Sequence, residues 1–217
     1  MRLKQETLIR YLLFLMGLWM SALGISLATK AGLGVSPISS VPYVLSIGLP
    51  LTMGTFTFLF NMLFVIGQIV LLGREFEKLQ LLQILLLVIF GYFIDLTLWM
   101  LSIFDLTNYI QKFIFLLLGC VVLAMGISMQ VTANVLIIPG DALVRVISIK
   151  LKREFGKVKV CFDTTIVVIA AVLSFFMLHR IDGIREGTLL AALTIGFIVK
   201  FFNKLLGPVC LKFTAGQ

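Results

Sequence analysis

Three aspartates and two prolines are the residues of this chain whose type and setting point to chemistry. Asp163 and Asp95 interrupt long apolar runs, and Asp141 follows Pro139-Gly140. A carboxylate held in apolar surroundings is neutralised, paired or functional, because leaving it charged and alone is expensive. Pro37 and Pro139 each open a short segment, and proline suits a first helical turn, where its missing N–H is no loss. A helix start buried in apolar surroundings presents free N–H groups and a positive dipole end, which favours a polar or anionic ligand. Ser36, Ser39 and Ser40 crowd the first such start, and Gly140 and Asp141 the second. The plainer alternative is a loop lying flat at an interface and capped by its serines.

Asp163, with Thr164 beside it, has Asn61 as its repeat partner, and the two can build a shared polar site. The plain alternative for Asp163 is an ion pair with Lys159, four residues earlier on the same helix. Asp95 has no cation near it in sequence, so it reads as a proton- or cation-responsive group or as a hydrogen-bonded carboxylic acid. With a three-residue shift, Gly91–Asp95 aligns with Gly196–Lys200, and Asp95 and Lys200 would form an internal ion pair if they met. Gln130 and Asn134 immediately precede the Pro139 segment and are expected to line its site. Gln68 and Gln83 read as amides bonding between helices. No Ser/His/Asp set, metal-spaced cluster or phosphate loop occurs, and His179 is the only histidine. Cys120, Cys161 and Cys210 stand alone in apolar contexts and read as packing residues. The expectation is a protein that is not an enzyme, with no cofactor and no metal.

These residues are positioned by a duplicated frame. Offset by 102 residues, Gly17–Leu71 lies over Gly119–Leu173 with sixteen identities, among them Gly17/Gly119, Gly24-Ile-Ser/Gly126-Ile-Ser, Pro37/Pro139 and Gly54/Gly156. Paired glycines and prolines fix backbone shape, so they say more than paired leucines. The chain is 60% hydrophobic, 13% charged and has a mean hydropathy of +1.14, about half the charge of an ordinary soluble domain. The pattern is an all-α polytopic membrane protein with six transmembrane helices. Repeat 1 (1–104) has spans near 8–28, 54–72 and 79–104 and a short helix at 37–47. Repeat 2 (105–217) has spans near 111–131, 158–178 and 185–205 and a short helix at 139–150. The short helices cannot cross roughly 30 Å of hydrocarbon and read as re-entrant or interfacial. Three spans per copy force the copies into opposite orientations, an inverted repeat.

Charge agrees with that frame. With the N-terminus inside, fourteen of the eighteen Lys and Arg residues fall on the inner face, leaving Lys30, Lys112, Arg180 and Arg185 outside. This is a strong positive-inside bias with both termini cytoplasmic, although an eight-span arrangement would score nearly as well. The net charge of +8 is therefore read as orientation and not as a nucleic-acid surface. The first span superficially resembles a secretory leader. Its repeat partner, Gly119–Val131, is internal, so the first span is expected to remain.

The run Gly24-Ile-Ser-Leu-Ala-Thr-Lys-Ala-Gly-Leu-Gly-Val-Ser-Pro-Ile-Ser-Ser-Val-Pro-Tyr, with Leu51-Thr-Met-Gly-Thr-Phe-Thr-Phe-Leu-Phe-Asn61 and Gly91-Tyr-Phe-Ile-Asp95, resembles the YczE/YyaS/YitT family of bacterial integral membrane proteins. The resemblance covers essentially the whole chain. It implies a multi-pass protein of a bacterial plasma membrane, and it carries over neither a substrate nor binding residues.

The leading functional reading is a secondary transporter of a small polar or anionic solute, with its site between the repeats. The alternatives are a substrate-capture subunit of a multi-component uptake system and a non-transporting regulatory or scaffold protein. Expected partners are the lipid bilayer, the solute, and either a second copy of the chain or another membrane protein.

Overall fold

The computed structural model describes residues 2–76, 78–179, 183 and 185–214, without the side chains of 2–7, 75, 78, 79, 186, 193 and 206–214. Among the residues discussed above, Arg180 and the side chains of Arg2, Lys4, Lys78, Cys210 and Lys212 lie outside that description. Eight α-helices follow in order: α1 (Arg2–Ala31), α2 (Pro37–Gly48), α3 (Met53–Leu72), α4 (Leu82–Leu101), α5 (Tyr109–Ala133), α6 (Pro139–Lys150), α7 (Phe155–Leu178) and α8 (Glu186–Thr214). Six stretches, Leu8–Ala31, Met53–Leu72, Leu82–Leu101, Tyr109–Ala133, Phe155–Leu178 and Gly187–Leu205, are long and apolar enough to cross a membrane. At 12 residues each, α2 and α6 reach only about 18 Å.

Local chemistry sets the helix ends. The Thr52 hydroxyl accepts the Thr55 N–H at 3.1 Å and starts α3. Asn134 and His179, both left-handed, stop α5 and α7. Pro37 and Pro139 occupy first-turn positions of α2 and α6.

Helices α1 and α5 form the central contact, and they run antiparallel. Glycines let their backbones touch: a Cβ on Gly17 would lie 2.8 Å from the Gly126 carbonyl oxygen, and one on Gly119 would lie 2.9 Å from that of Gly24. Under the 102-residue offset these two contacts are mates. Gln130 ties the same seam, its Nε2 donating to the Gly17 carbonyl at 3.1 Å and the Ser21 hydroxyl at 2.7 Å.

The remaining packing follows the duplication. Helix α4 lies on α1 as α8 lies on α5, α2 packs on α7 as α6 packs on α3, and α2 meets α3 as α6 meets α7. Ser26 and Thr97 share a hydrogen bond of 2.7 Å across α1 and α4, and Ser128 donates to Asn203 at 2.6 Å across α5 and α8. Val41 and Val44 of α2, Phe64 of α3, Leu143 of α6, and Ile166 and Ala170 of α7 form one buried apolar cluster between the copies. One packed pair lacks a counterpart: α3 and α4 pack closely, whereas among the described residues α7 and α8 share no such face.

Overpacking the central seam should be destabilising. Gly24→Ala places a methyl group against the Leu123 backbone and should cost about 1–3 kcal/mol. It should appear as a lowered melting temperature of the purified protein. Gly156→Ala, a position with nothing within 4 Å among the described residues, should not lower it.

Candidate functional site

The two short helices begin against each other. A Cβ on Gly140 would sit 3.1 Å from Ile38 Cδ1 and 3.6 Å from the Phe64 ring. Gly140 is the position that the repeat pairs with Ile38, so the first turns of α2 and α6 meet where the copies meet. Neither start is capped by the side chain preceding it, Ser36 or Ile138. The α2 serines instead bond among themselves and to their own turn. The Ser36 hydroxyl donates to the Ser39 hydroxyl at 2.9 Å, and Ser40 donates to the Pro37 carbonyl at 2.6 Å. From α3, Gln68 Nε2 donates to the Pro139 carbonyl at 3.1 Å while fully buried. Gln68 thus bonds between helices as its sequence setting suggests, and its place at this junction depends on how α3 lies over α6.

Beside the junction lies a charged triple. Lys159 Nζ is 3.0 Å from Asp141 Oδ1 and 3.0 Å from Asp163 Oδ1. The Lys159–Asp163 pair has the spacing visible in the sequence, and Asp141 joins it from the first turn of α6. Two carboxylates against one ammonium leave a net negative charge. The side chains are 25% exposed for Lys159 and Asp163 and 38% for Asp141, so solvent screens the group only in part.

The duplication places Ser39, Thr57 and Asn61 where Asp141, Lys159 and Asp163 stand. All three are buried, and they are neutral. Thr57 donates to the Met53 carbonyl at 2.8 Å, and Asn61 Nδ2 donates to the Thr57 carbonyl at 2.9 Å. Asn61 and Asp163 therefore bond along their own helices and do not bond to each other. Phe64 and Phe162, with ring centroids 5.4 Å apart, bridge α3 and α7 in that region.

Asp95 is placed by α3. Its Oδ1 accepts the Gly54 N–H at 2.7 Å, and its Oδ2 accepts the Thr52 hydroxyl at 2.7 Å. A carboxylate on α4 thus caps the start of the neighbouring helix, where the dipole favours negative charge. Lys200 is exposed and the two are not joined, so the internal Asp95–Lys200 pair is absent. Three other positions have plain structural accounts. Thr164 is exposed and bonds the Val160 carbonyl of its own helix at 2.7 Å. Asn134 ends α5 in a left-handed conformation, and Gln130 binds the α1–α5 seam. Cys120 is buried in the core as read from sequence, but Cys161 is exposed.

Residues 8–204 match a family model described as a family of unknown function, DUF6198. The chain belongs to that family. It is 29% identical over 201 residues to the "Uncharacterized membrane protein YczE" of Bacillus subtilis (strain 168), covering 92% of this chain and 87% of that one. It is 27% identical over 194 residues to the "Uncharacterized protein YyaS" of the same organism, covering 89% and 92%. No solved structure matches. Six apolar helices and a relative named as a membrane protein make this DUF6198 member a multi-pass membrane protein.

Removing one charge from the triple should be worse than removing all three. Lys159→Met leaves Asp141 and Asp163 facing each other and should lower the melting temperature. Adding Asp141→Asn and Asp163→Asn should restore most of it, because breaking a partly buried ion group strands its partners. Asp95→Ala, which uncaps α3, should destabilise by about 0.5–2 kcal/mol, with Asp95→Asn in between. Thermal unfolding of the variants checks both.

Proposed function

We propose that the chain is a small-solute membrane transporter built from two inverted repeats, with its binding site where the first turns of α2 and α6 meet. The observation that carries this reading is the meeting of Ile38 and Gly140 beside the Asp141–Lys159–Asp163 triple. Short-helix starts at a repeat interface are where inverted-repeat transporters typically hold the anionic group of a solute. The antiparallel course of α1 and α5 and the mated helix pairs support the inverted arrangement.

The residues suited to contact a solute are Ser36, Ser39, Ser40 and Asn61 on one side, and Gly140, Asp141, Lys159 and Asp163 on the other. Asp141 already answers the dipole of α6, and the triple is net negative. The favoured solute is therefore polar with a cationic or zwitterionic group, not a simple anion. Translocation needs no covalent step and no cofactor. The proposed setting is a bacterial plasma membrane with both termini in the cytoplasm. In keeping with this, Arg185 Nη1 reaches the Gly32 carbonyl at 3.4 Å, at the same end of the bundle as Lys30.

The apolar cluster of Val41, Val44, Phe64 and Leu143 between the copies favours a second reading, a non-transporting module that supports another membrane protein. Purified protein should be heated with panels of cationic, zwitterionic and anionic metabolites, since a ligand that binds the native state raises its melting temperature. The transporter reading expects a zwitterionic or cationic hit, lost in Asp163→Asn, together with uptake of that solute into liposomes. No hit and no uptake across the panel would leave the supporting module as the better account.

A further inference from the structure

The two copies differ in one contact that the duplication leads one to expect in both. In the first copy, α3 closes on α4 at Gly54 and Gly91. A Cβ on Gly91 would lie 2.7 Å from the Gly54 carbonyl oxygen, and one on Gly54 would overlap the Gly91 carbonyl. Glycine is required at both, because only its absent side chain allows this approach. Their counterparts, Gly156 at the 102-residue offset and Gly196 at 105, have nothing within 4 Å among the described residues. Neither has a positive φ. Among the described residues nothing requires glycine at either place, and at Gly196, inside α8, glycine is destabilising relative to alanine.

The neighbouring helices are nonetheless in position. α7 rests on α2 as α3 rests on α6, and α8 rests on α5 as α4 rests on α1. Among the described residues, the face between α7 and α8 is the one without its counterpart's close packing. The span of α7 is 17% buried against 33% for α3, and that of α8 is 12% against 28% for α4. The charges flanking the glycines have changed as a pair. Where Thr52 bonds Asp95, the second copy has Glu154 and Lys200. Glu154 here pairs with Lys157 at 3.1 Å, both about three-quarters exposed, and Lys200 is exposed.

We propose that α7 closes on α8 through Gly156 and Gly196, with Glu154 pairing with Lys200, as the counterpart of the α3–α4 closure at Gly54, Gly91, Thr52 and Asp95. The observed conformation is then sealed at the α3–α4 end and open at the α7–α8 end, and closure at the second end completes a gate. This rests on the inverted-repeat reading, because the counterpart positions are defined by it. Gly156, Gly196, Glu154 and Lys200 then take the parts that Gly54, Gly91, Thr52 and Asp95 take in the first copy.

The test is a spin-label distance measurement in lipid nanodiscs, on full-length protein with its natural cysteines replaced and labels at Lys157→Cys and Lys204→Cys. No solute is added. Two distance populations are expected. The shorter one should be lost in Gly196→Leu, diminished in Glu154→Lys, and restored in Glu154→Lys with Lys200→Glu. The melting temperature of Gly196→Leu should stay near that of the parent, because a side chain there enters open space, whereas Gly91→Leu should unfold the protein. A single population unchanged by Gly196→Leu overturns the proposal. So does a short distance that disappears when labelled protein is diluted with unlabelled protein, since it would then arise between two chains. Closure without any solute hit would sink the transport reading and leave the gate, and a solute hit without closure would do the reverse.

Discussion

The antiparallel contact of α1 with α5 is the constraint on which the rest of the fold depends. Lipid is as apolar as leucine, so spans in a bilayer are held by close packing and hydrogen bonds and not by exclusion of apolar surface. Gly17, Gly24, Gly119 and Gly126 let the two backbones touch, and Gln130 bonds across them. Because the helices in contact are repeat partners, every other element is placed in matched pairs about their seam. α4 and α8 dock on its flanks, and α2 with α3 faces α6 with α7. The meeting of Ile38 with Gly140 follows from this arrangement, since each lies at the other's counterpart position.

Within that matched frame the copies have diverged in polarity. The neutral set Ser39, Thr57 and Asn61 stands against the ionic set Asp141, Lys159 and Asp163. Thr52 and Asp95 stand against Glu154 and Lys200. A lone charge among apolar helices is expensive; Lys159 answers Asp141 and Asp163, and the Thr52 hydroxyl with the Gly54 N–H answers Asp95. The divergence makes the two halves of the molecule chemically unequal: one side of the repeat interface carries the Asp141–Lys159–Asp163 triple and the other offers neutral hydroxyls and an amide.

Several residues read correctly from spacing alone, and several did not. Lys159 and Asp163, four residues apart on one helix, were legible as an ion pair because helical geometry makes them neighbours whatever surrounds them. Asp141 as the third member was not, because it arrives from a different helix. Asp95 was legible as an anomaly in an apolar run, but its partners, Thr52 and the Gly54 N–H, lie on α3. Gln130 and Asn134 were assigned to a site by nearness in sequence, and the fold gives them to the α1–α5 seam and the end of α5. Thr164 was assigned by nearness to Asp163, yet one residue along a helix is a turn of about 100°, enough to put it on an exposed face.

The sequence by itself determined the helical class, the six apolar spans, the two short helices opened by proline, and the duplication that relates them. Each of these follows from local quantities: hydropathy, span length, proline and glycine placement, and identity at a fixed offset. Tertiary structure alone decided which pairs of helices touch, that the short helices start against each other, that Asp95 caps a neighbour, and that α3–α4 is closed while α7–α8 is not. Those outcomes depend on the relative placement of helices far apart in the chain. Both copies place a glycine on each side of that contact, yet one makes it and the other does not, so no local reading distinguishes them.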